Sequence, residues 1–221
     1  MDTRHSNPPY AGYFIDRHDA GRLLAKALTR YRDEAPVVLA LPRGGVPVGY
    51  EIAHALEAPL DVLLVRKLGA PGFPELGLGA VVEGTPPQRV LNDHIIDALR
   101  PPEGYLEAEA QRQLALIAER HSRYRGNRPM MAVEGRTVIV TDDGIATGGT
   151  MRAALKALAA RARRTVLAVP VAPHAVLESI AADADDAVCL LSPNEFQSVG
   201  FYYGDFDQLE DEDVIALLHR D

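Results

Sequence analysis

The chain has 221 residues, of which 47% are hydrophobic and 24% charged, and its formal net charge is −8. This composition is typical of a globular protein with a sizeable buried core, and the acidic balance argues against a surface built broadly for nucleic acid or for an anionic membrane. One cysteine, Cys189, excludes a disulfide within the chain. We expect a single domain over residues 1–221. We also expect a cytoplasmic protein, because residues 1–10 lack a signal-peptide core and no apolar run reaches the ~18 residues of a membrane span.

The first predicted strand leads into a glycine-rich turn. A buried strand is predicted over residues 37–41, and a helix over residues 46–57. The turn between them contains Arg43, Gly44 and Gly45, so it carries a cation and glycines that can adopt conformations other residues avoid. By itself, this pattern is also compatible with a plain connection between strand and helix.

A basic pair ends the next predicted strand. Residues 60–65 form an apolar run that ends in Arg66 and Lys67. Residues 69–77 are so rich in glycine and proline that they predict an irregular segment, long enough to move. Residues 79–83 resume as a third strand. Without further context, the two basic residues could also cap a strand in solvent.

Residues 92–128 have a different character and predict a helical insertion. A short helix is predicted over residues 93–99 and a longer one over residues 105–124, and together they could form a dimer surface or a lid. The end of the longer helix is basic, which suits the helix dipole, so a solvated structural end is the favoured interpretation. Contact with a second phosphate or with nucleic acid is the alternative for its arginines, Arg120, Arg123, Arg125 and Arg128.

The most informative stretch combines a strand, an acidic pair and a small-residue loop. The buried strand over residues 138–141 is followed by Asp142 and Asp143, and a helix begins near residues 147–150. The loop's backbone N–H groups and the positive end of the helix dipole can hold a phosphate. The carboxylates can accept hydrogen bonds from sugar hydroxyls. Together these features predict a site for a phosphorylated sugar.

Other phosphate-binding motifs do not fit this loop. A P-loop requires a lysine, and none stands between Gly149 and Thr150; the glycines at 144, 148 and 149 also lack dinucleotide-binding spacing. An ordinary strand–turn–helix corner is the remaining alternative. It is disfavoured because adjacent carboxylates beside such a loop repel each other unless something bridges them.

The rest of the chain indicates the fold class. Strands are predicted over residues 165–169 and 187–191, an aromatic-rich tail over residues 193–206, and a final helix over residues 210–219. Strands that alternate with helices predict an α/β, doubly wound fold with a mostly parallel sheet, and its core spans about residues 37–191. Both glycine-rich turns follow strand ends, at the edge where such sheets bind ligands.

The acidic stretch resembles the motif by which type I phosphoribosyltransferases bind 5-phosphoribosyl 1-pyrophosphate (PRPP): an apolar strand, Asp-Asp, then T-G-x-T. Gly144 departs from the pattern, because the family more often has an apolar residue there. The resemblance extends to a subgroup of stand-alone phosphoribosyltransferases through residues 41–46, residues 74–76 and the aromatic tail. It does not identify a substrate for that subgroup. The residues that match the PRPP motif are Asp142, Asp143, Thr147, Gly148 and Thr150.

The resemblance implies displacement of pyrophosphate from PRPP by a nitrogen nucleophile, with Mg²⁺ neutralising the pyrophosphate. Asp142 and Asp143 would hold the ribose hydroxyls, directly or through the metal's shell, and would therefore be the metal-binding residues. The implied catalytic residues are Asp142, Asp143, Arg66 and Lys67. The implied 5′-phosphate loop is Ala146, Thr147, Gly148, Gly149 and Thr150. The implied pyrophosphate loop is Arg43, Gly44 and Gly45, with charge supplied by Arg66 and Lys67.

Three further expectations rest on the resemblance. The C-terminal segment, residues 193–221, is expected to form a hood over the acceptor, with Phe201 or Tyr202 stacking on it; a packing role for this segment is the alternative. A cis peptide bond between non-proline residues is expected at Pro42–Arg43 or Arg43–Gly44. Because dimers are common in the family, we expect a homodimer.

Two rival functions remain open at this point. One is a non-catalytic PRPP sensor that binds nucleic acid through the arginines at the end of the longer helix, although the acidic balance makes nucleic acid an unlikely partner. The other is a hydrolase that releases pyrophosphate to water. For a transferase, the acceptor is open between a purine, a pyrimidine, another nitrogen heterocycle and an amine donor.

Overall fold

The computed structural model describes residues 13–220. The strands are β1 (Val37–Ala40), β2 (Leu60–Val62), β3 (Val65–Ala70), β4 (Phe73–Val82), β5 (Gln88–Leu91), β6 (Thr137–Thr141), β7 (Arg164–Val171) and β8 (Asp186–Leu191). The α-helices are α1 (Arg17–Leu28), α2 (Gly45–Leu56), α3 (Asp93–Leu99), α4 (Tyr105–Arg125), α5 (Gly149–Ala159), α6 (His174–Ala181) and α7 (Asp211–Leu218). No helix within this range is both long and apolar enough to cross a bilayer.

A five-stranded parallel sheet in the order β2-β1-β6-β7-β8 forms the centre of the molecule and confirms the predicted fold class. From β1 the chain passes through α2 to β2 on one side, and from β6 through α5 to β7 on the other. The order therefore reverses between β1 and β6, which pair directly. In doubly wound sheets this switch point leaves a crevice at the carboxyl ends of the strands, where ligands bind.

Helices cover both faces of this sheet. Alternate strand residues such as Val38 and Ile139 pack with α1 and α2 on one face. Their neighbours, such as Leu39 and Val140, pack with α5 and α6 on the other. Because side chains alternate across a strand, a strand buried on both faces must be apolar throughout. This is why these strands are continuous runs of apolar residues in the sequence.

Strands β3, β4 and β5 form a separate antiparallel sheet, which corrects two predictions. The predicted strand over residues 60–65 divides into β2 and the start of β3, and the segment over residues 69–77 is regular instead of irregular. Its Pro71-Gly72 pair makes the tight turn of a hairpin, with Gly72 at φ +74°. Proline followed by a glycine of positive φ is the signature of a type II turn. Arg66 and Lys67 therefore lie within β3 instead of at the end of the strand that precedes it.

The two predicted helices of the insertion are confirmed as α3 and α4, but the basic end of α4 is not simply solvated. The Arg125 side chain is buried, with Nε 2.7 Å from Oδ1 of Asp61 and Nη1 2.7 Å from Oε1 of Glu83. Arg123 pairs with Asp211 at the start of α7. These contacts fasten the insertion to the parallel sheet and to the C-terminal helix.

Candidate active site

The loops that follow β1 and β6 touch at the switch point. A Cβ atom on Gly44 would lie 2.0 Å from Oδ2 of Asp143, and one on Gly45 would lie 2.8 Å from Cα of Asp142. Any side chain at these two positions would overlap the acidic pair. The glycine-rich turn and the two carboxylates therefore form one continuous surface.

The glycine-rich turn has the conformation that the resemblance implied. The Pro42–Arg43 peptide bond is cis. Beyond it, Gly45 N donates to Leu41 O, and α2 begins at Gly45. The Arg43 guanidinium points to the C-terminal segment, with Nη1 3.1 Å from Oε2 of Glu210. Arg43 thus has an exchangeable anionic partner beside the turn.

The loop from residue 146 to the start of α5 presents free backbone donors. Gly148 adopts φ +77°, which favours glycine, and the flanking amides are engaged: Ile145 N donates to Val171 O, and Arg152 N donates to Gly148 O. Among the described residues, none accepts a backbone hydrogen bond from the amides of residues 146–151. Free N–H groups at a helix N-terminus, with its positive dipole, are suited to an anion such as a phosphate.

The acidic pair carries more negative charge than its neighbours neutralise. Burial, together with the charge of Asp143, raises the pKa of Asp142 well above its ordinary value. Burial also raises the pKa of Asp143, although Arg17 acts in the opposite direction. The Arg17 Nε lies 2.8 Å from Oδ2 of Asp143, whereas Asp142 accepts from the Asp143 amide. A cation bound at the pair would relieve this charge.

The basic pair of β3 lies beside the loop before α5. Lys67 lines a cavity of about 590 Å³ together with Thr147, Gly149 and Thr150. Arg66 lines a small cavity of about 30 Å³ that also touches Pro42 and Thr150. The antiparallel sheet thus brings both cations beside the loop before α5, and Arg66 also beside the glycine-rich turn.

The two aromatic residues of the predicted hood differ in exposure. Tyr202 is 8% exposed, and its ring lies between those of Phe196 and Tyr13, with centroid distances of 5.7 Å and 6.4 Å. Phe201 is 41% exposed. Of the two, Phe201 has a ring available to a ligand, whereas Tyr202 is packed against its neighbours.

Comparison with known proteins decides the family. The model of the phosphoribosyl transferase domain family matches residues 16–204. The chain belongs to this family. Two Mycobacterium tuberculosis proteins, each named "Putative phosphoribosyl transferase", are 45% identical to it over 208 residues, which are 94% of this chain and 46% of theirs. The chain therefore spans about half the length of these curated relatives.

A solved structure matches nearly the whole chain. The Thermus thermophilus protein TT1426 is 49% identical, with a TM-score of 0.81, and the match covers 93% of this chain and 97% of that one. The predicted membership of the type I phosphoribosyltransferases is thus confirmed.

The acidic pair has the chemistry to bind a magnesium ion that arrives with a phosphorylated ligand. Residues 13–220 contain no group of three or more His, Cys, Asp or Glu side chains placed to hold a metal. Mg²⁺, however, is commonly bound by one or two carboxylates together with water and substrate phosphates. Asp142 and Asp143 supply two such carboxylates, and burial, the main cause of their raised pKa values, disfavours their ionised forms, which a bound divalent cation would stabilise.

Sequence reasoning missed the residues that hold Asp143 in place. Arg17, the first residue of α1, pairs with its carboxylate and also lies 3.8 Å from the centre of the Phe206 ring. The hydroxyl of Tyr203 donates to the Asp143 carbonyl at 2.5 Å. The concentration of aromatic residues in the tail was a usable signal, whereas Arg17 stands in the sequence as one helical charge among many.

Proposed function

We propose that this protein transfers the phosphoribosyl group of PRPP to a nitrogen acceptor, releasing pyrophosphate in a Mg²⁺-dependent reaction. The observation that carries the proposal is the direct contact between the acidic pair and the glycine-rich turn, with Gly44 held against Asp143. The loop of free amides before α5 completes the arrangement. Carboxylates for ribose hydroxyls thus lie between two candidate phosphate sites.

The loop before α5 would position the substrate. Its amides and Thr147 and Thr150 would hold the 5′-phosphate, which fixes the ribose over the carboxylates. Asp142 and Asp143 would accept hydrogen bonds from the ribose hydroxyls. Their negative charge would stabilise the positive charge that develops on the ribose as the bond to pyrophosphate breaks.

Cations would neutralise the leaving pyrophosphate. In this proposal Arg43 exchanges Glu210 for a phosphate oxygen, and the backbone of Gly44 and Gly45 approaches the anion closely. Arg66 and Lys67 add positive charge from β3. Mg²⁺, held by Asp142 and Asp143 when PRPP is bound, would supply further neutralisation of the pyrophosphate.

The acceptor in this proposal is a nucleobase or a related heterocycle. The exposed ring of Phe201 supports this choice, because flat heterocycles stack on aromatic side chains. The rival function as a nucleic-acid-binding sensor draws less support from the basic end of α4. Arg125 is buried with Asp61 and Glu83, and Arg123 pairs with an acidic residue of α7.

Calorimetric titration of PRPP, with and without Mg²⁺, tests the proposal. We expect metal-dependent binding to wild type that Asp142→Asn and Asp143→Asn each abolish. Asp33→Asn is the matched control, because Asp33 is exposed and precedes β1 at the opposite edge of the sheet. If PRPP binds, the next experiment is a screen of purines, pyrimidines and other amines as acceptors, with pyrophosphate release as the measured signal. PRPP binding that is unchanged by removal of Mg²⁺ and by both substitutions would contradict the assignment of Asp142 and Asp143. Release of pyrophosphate from PRPP without any acceptor would indicate the hydrolase.

A further inference from the structure

We propose that Arg120 of α4 binds the pyrophosphate of PRPP, so that the helical insertion supplies part of the substrate site. This inference rests on the proposed function and adds a residue outside the PRPP motif. Arg120 is half-buried and lines the same small cavity as Arg66, Pro42 and Thr150. The cavity therefore joins the insertion to both candidate phosphate loops.

Arg120 differs from Arg123 and Arg125 because, among the described residues, its guanidinium makes no salt bridge and attracts Asp211 only at longer range. Arg123 pairs with Asp211, and Arg125 pairs with Asp61. Within residues 13–220, no carboxylate lies within salt-bridge distance of the Arg120 guanidinium, and no group accepts a hydrogen bond from it. A partly desolvated cation without a partner is unfavourable, and a bound anion would remove that penalty.

The lining of the cavity selects an anion. It is lined by apolar residues, by Arg66 and Arg120 and by Thr150, and no acidic residue is among the lining residues. Its volume of about 30 Å³ admits one water-sized group, such as a single phosphate oxygen. Guanidinium groups match phosphate oxygens in geometry as well as charge.

The position of this cavity favours binding of the pyrophosphate over binding of the 5′-phosphate. Pro42 and Arg66 belong to the proposed pyrophosphate side, and only Thr150 belongs to the 5′-phosphate loop. The Arg66 Nε is already bonded to Oε1 of Gln113 at 3.0 Å, so its terminal nitrogens remain for the ligand. Arg120 and Arg66 would therefore both bind the same end of the pyrophosphate.

The test compares Arg120→Met and Arg120→Lys with wild type and with Arg136→Met. Arg136 is a half-buried arginine that precedes β6 at the opposite edge of the sheet, where its Nη2 donates to Ala35 O. Each protein is titrated with PRPP, pyrophosphate and ribose 5-phosphate in the presence of Mg²⁺. Loss of one hydrogen-bonded charge should make Arg120→Met bind PRPP and pyrophosphate about 10- to 100-fold more weakly. Ribose 5-phosphate binding should not change, Arg120→Lys should recover part of the loss, and Arg136→Met should match wild type.

Three results would overturn the inference. Wild-type affinity of Arg120→Met for pyrophosphate would remove Arg120 from the site while leaving the proposed function intact. An equal loss of ribose 5-phosphate affinity would show that the substitution disturbs the whole site instead of one phosphate. Wild-type protein that binds neither PRPP nor pyrophosphate would overturn the proposed function and this inference with it.

Discussion

The contact between Gly44 and Asp143 makes Gly44→Ala the sharpest test of how the site is built. The added methyl carbon would lie 2.0 Å from Oδ2 and 2.4 Å from Cγ of Asp143. A carbon and an oxygen in contact are normally about 3.3 Å apart, so the turn or the carboxylate must move by more than about 1 Å. Arg17 holds that carboxylate at 2.8 Å, which opposes the movement.

This displacement should cost binding much more than stability. Misplacing a catalytic group by about 1 Å can cost about 100-fold in rate, so we expect kcat/KM to fall about 100-fold and PRPP affinity to fall with it. The clash meets the end of a side chain that can rotate. The loss of unfolding free energy should therefore be about 1 kcal/mol, or about 2–4 °C in Tm for a chain of this size.

Calorimetry and thermal unfolding of two alanine variants separate these effects. In Gly21→Ala, the new Cβ would lie 2.8 Å from the Val48 carbonyl oxygen and 3.0 Å from its Cα, which are backbone atoms of α2 that cannot rotate away. This overpacking should cost about 1–3 kcal/mol of stability and reduce PRPP affinity far less than Gly44→Ala does. Gly44→Ala that binds PRPP as tightly as wild type would refute the reasoning.

Three further predictions concern charge and aromatic packing around the site. Arg17→Met leaves the largely buried Asp143 without its paired cation, so we expect a loss of about 3 kcal/mol in urea unfolding near neutral pH. Because Arg17 lowers the pKa of Asp143, PRPP binding by this variant should also fail at a higher pH on acidification. Asp142→Asn should stabilise the fold at about pH 8, because the raised pKa of Asp142 means that its ionised form is disfavoured in the folded state; the gain should vanish at about pH 3, below the ordinary aspartate pKa of about 3.9. An unchanged Tm at the higher pH would contradict this. Tyr202→Ala should cost about 3 kcal/mol by emptying a packed site, whereas Phe201→Ala should change stability by about 0.5 kcal/mol or less and raise the KM for the acceptor. The opposite ranking of the two Tm values would contradict the packed environment of Tyr202.

The parallel sheet could be predicted from the sequence because burial on both faces leaves a local pattern. Residues 37–41 and 138–140 are uninterrupted apolar runs, and each is followed by a helix-compatible pattern. The hairpin of β3 and β4 left no such pattern. Its Pro71-Gly72 turn has the composition of a loop, and only the pairing of the two strands shows that these residues join regular structure.

The PRPP motif could be predicted for the same reason, since its strand, carboxylates and loop lie within 13 consecutive positions. The side chains that form ion pairs with the site residues could not be predicted from the sequence. Arg17 and Asp143 are 126 positions apart, and Arg43 and Glu210 are 167 apart. Helix α1 and helix α7 must pack before either pair exists, so no local pattern marks them.

In the proposed function, these two distant pairs supply part of the counter-charge at the site before substrate binds. Arg17 places a cation where Mg²⁺ would neutralise the acidic pair, and Glu210 places an anion where pyrophosphate would meet Arg43. The second pair is the more exchangeable, because its side chains are 30% and 63% exposed, against 11% and 15% for Arg17 and Asp143. Exposed ion pairs contribute about 0–1 kcal/mol, so in the proposed function pyrophosphate would displace Glu210 at little cost. The Arg17 pair is buried and should persist, which keeps Asp143 oriented while Asp142 and the ligand complete the site.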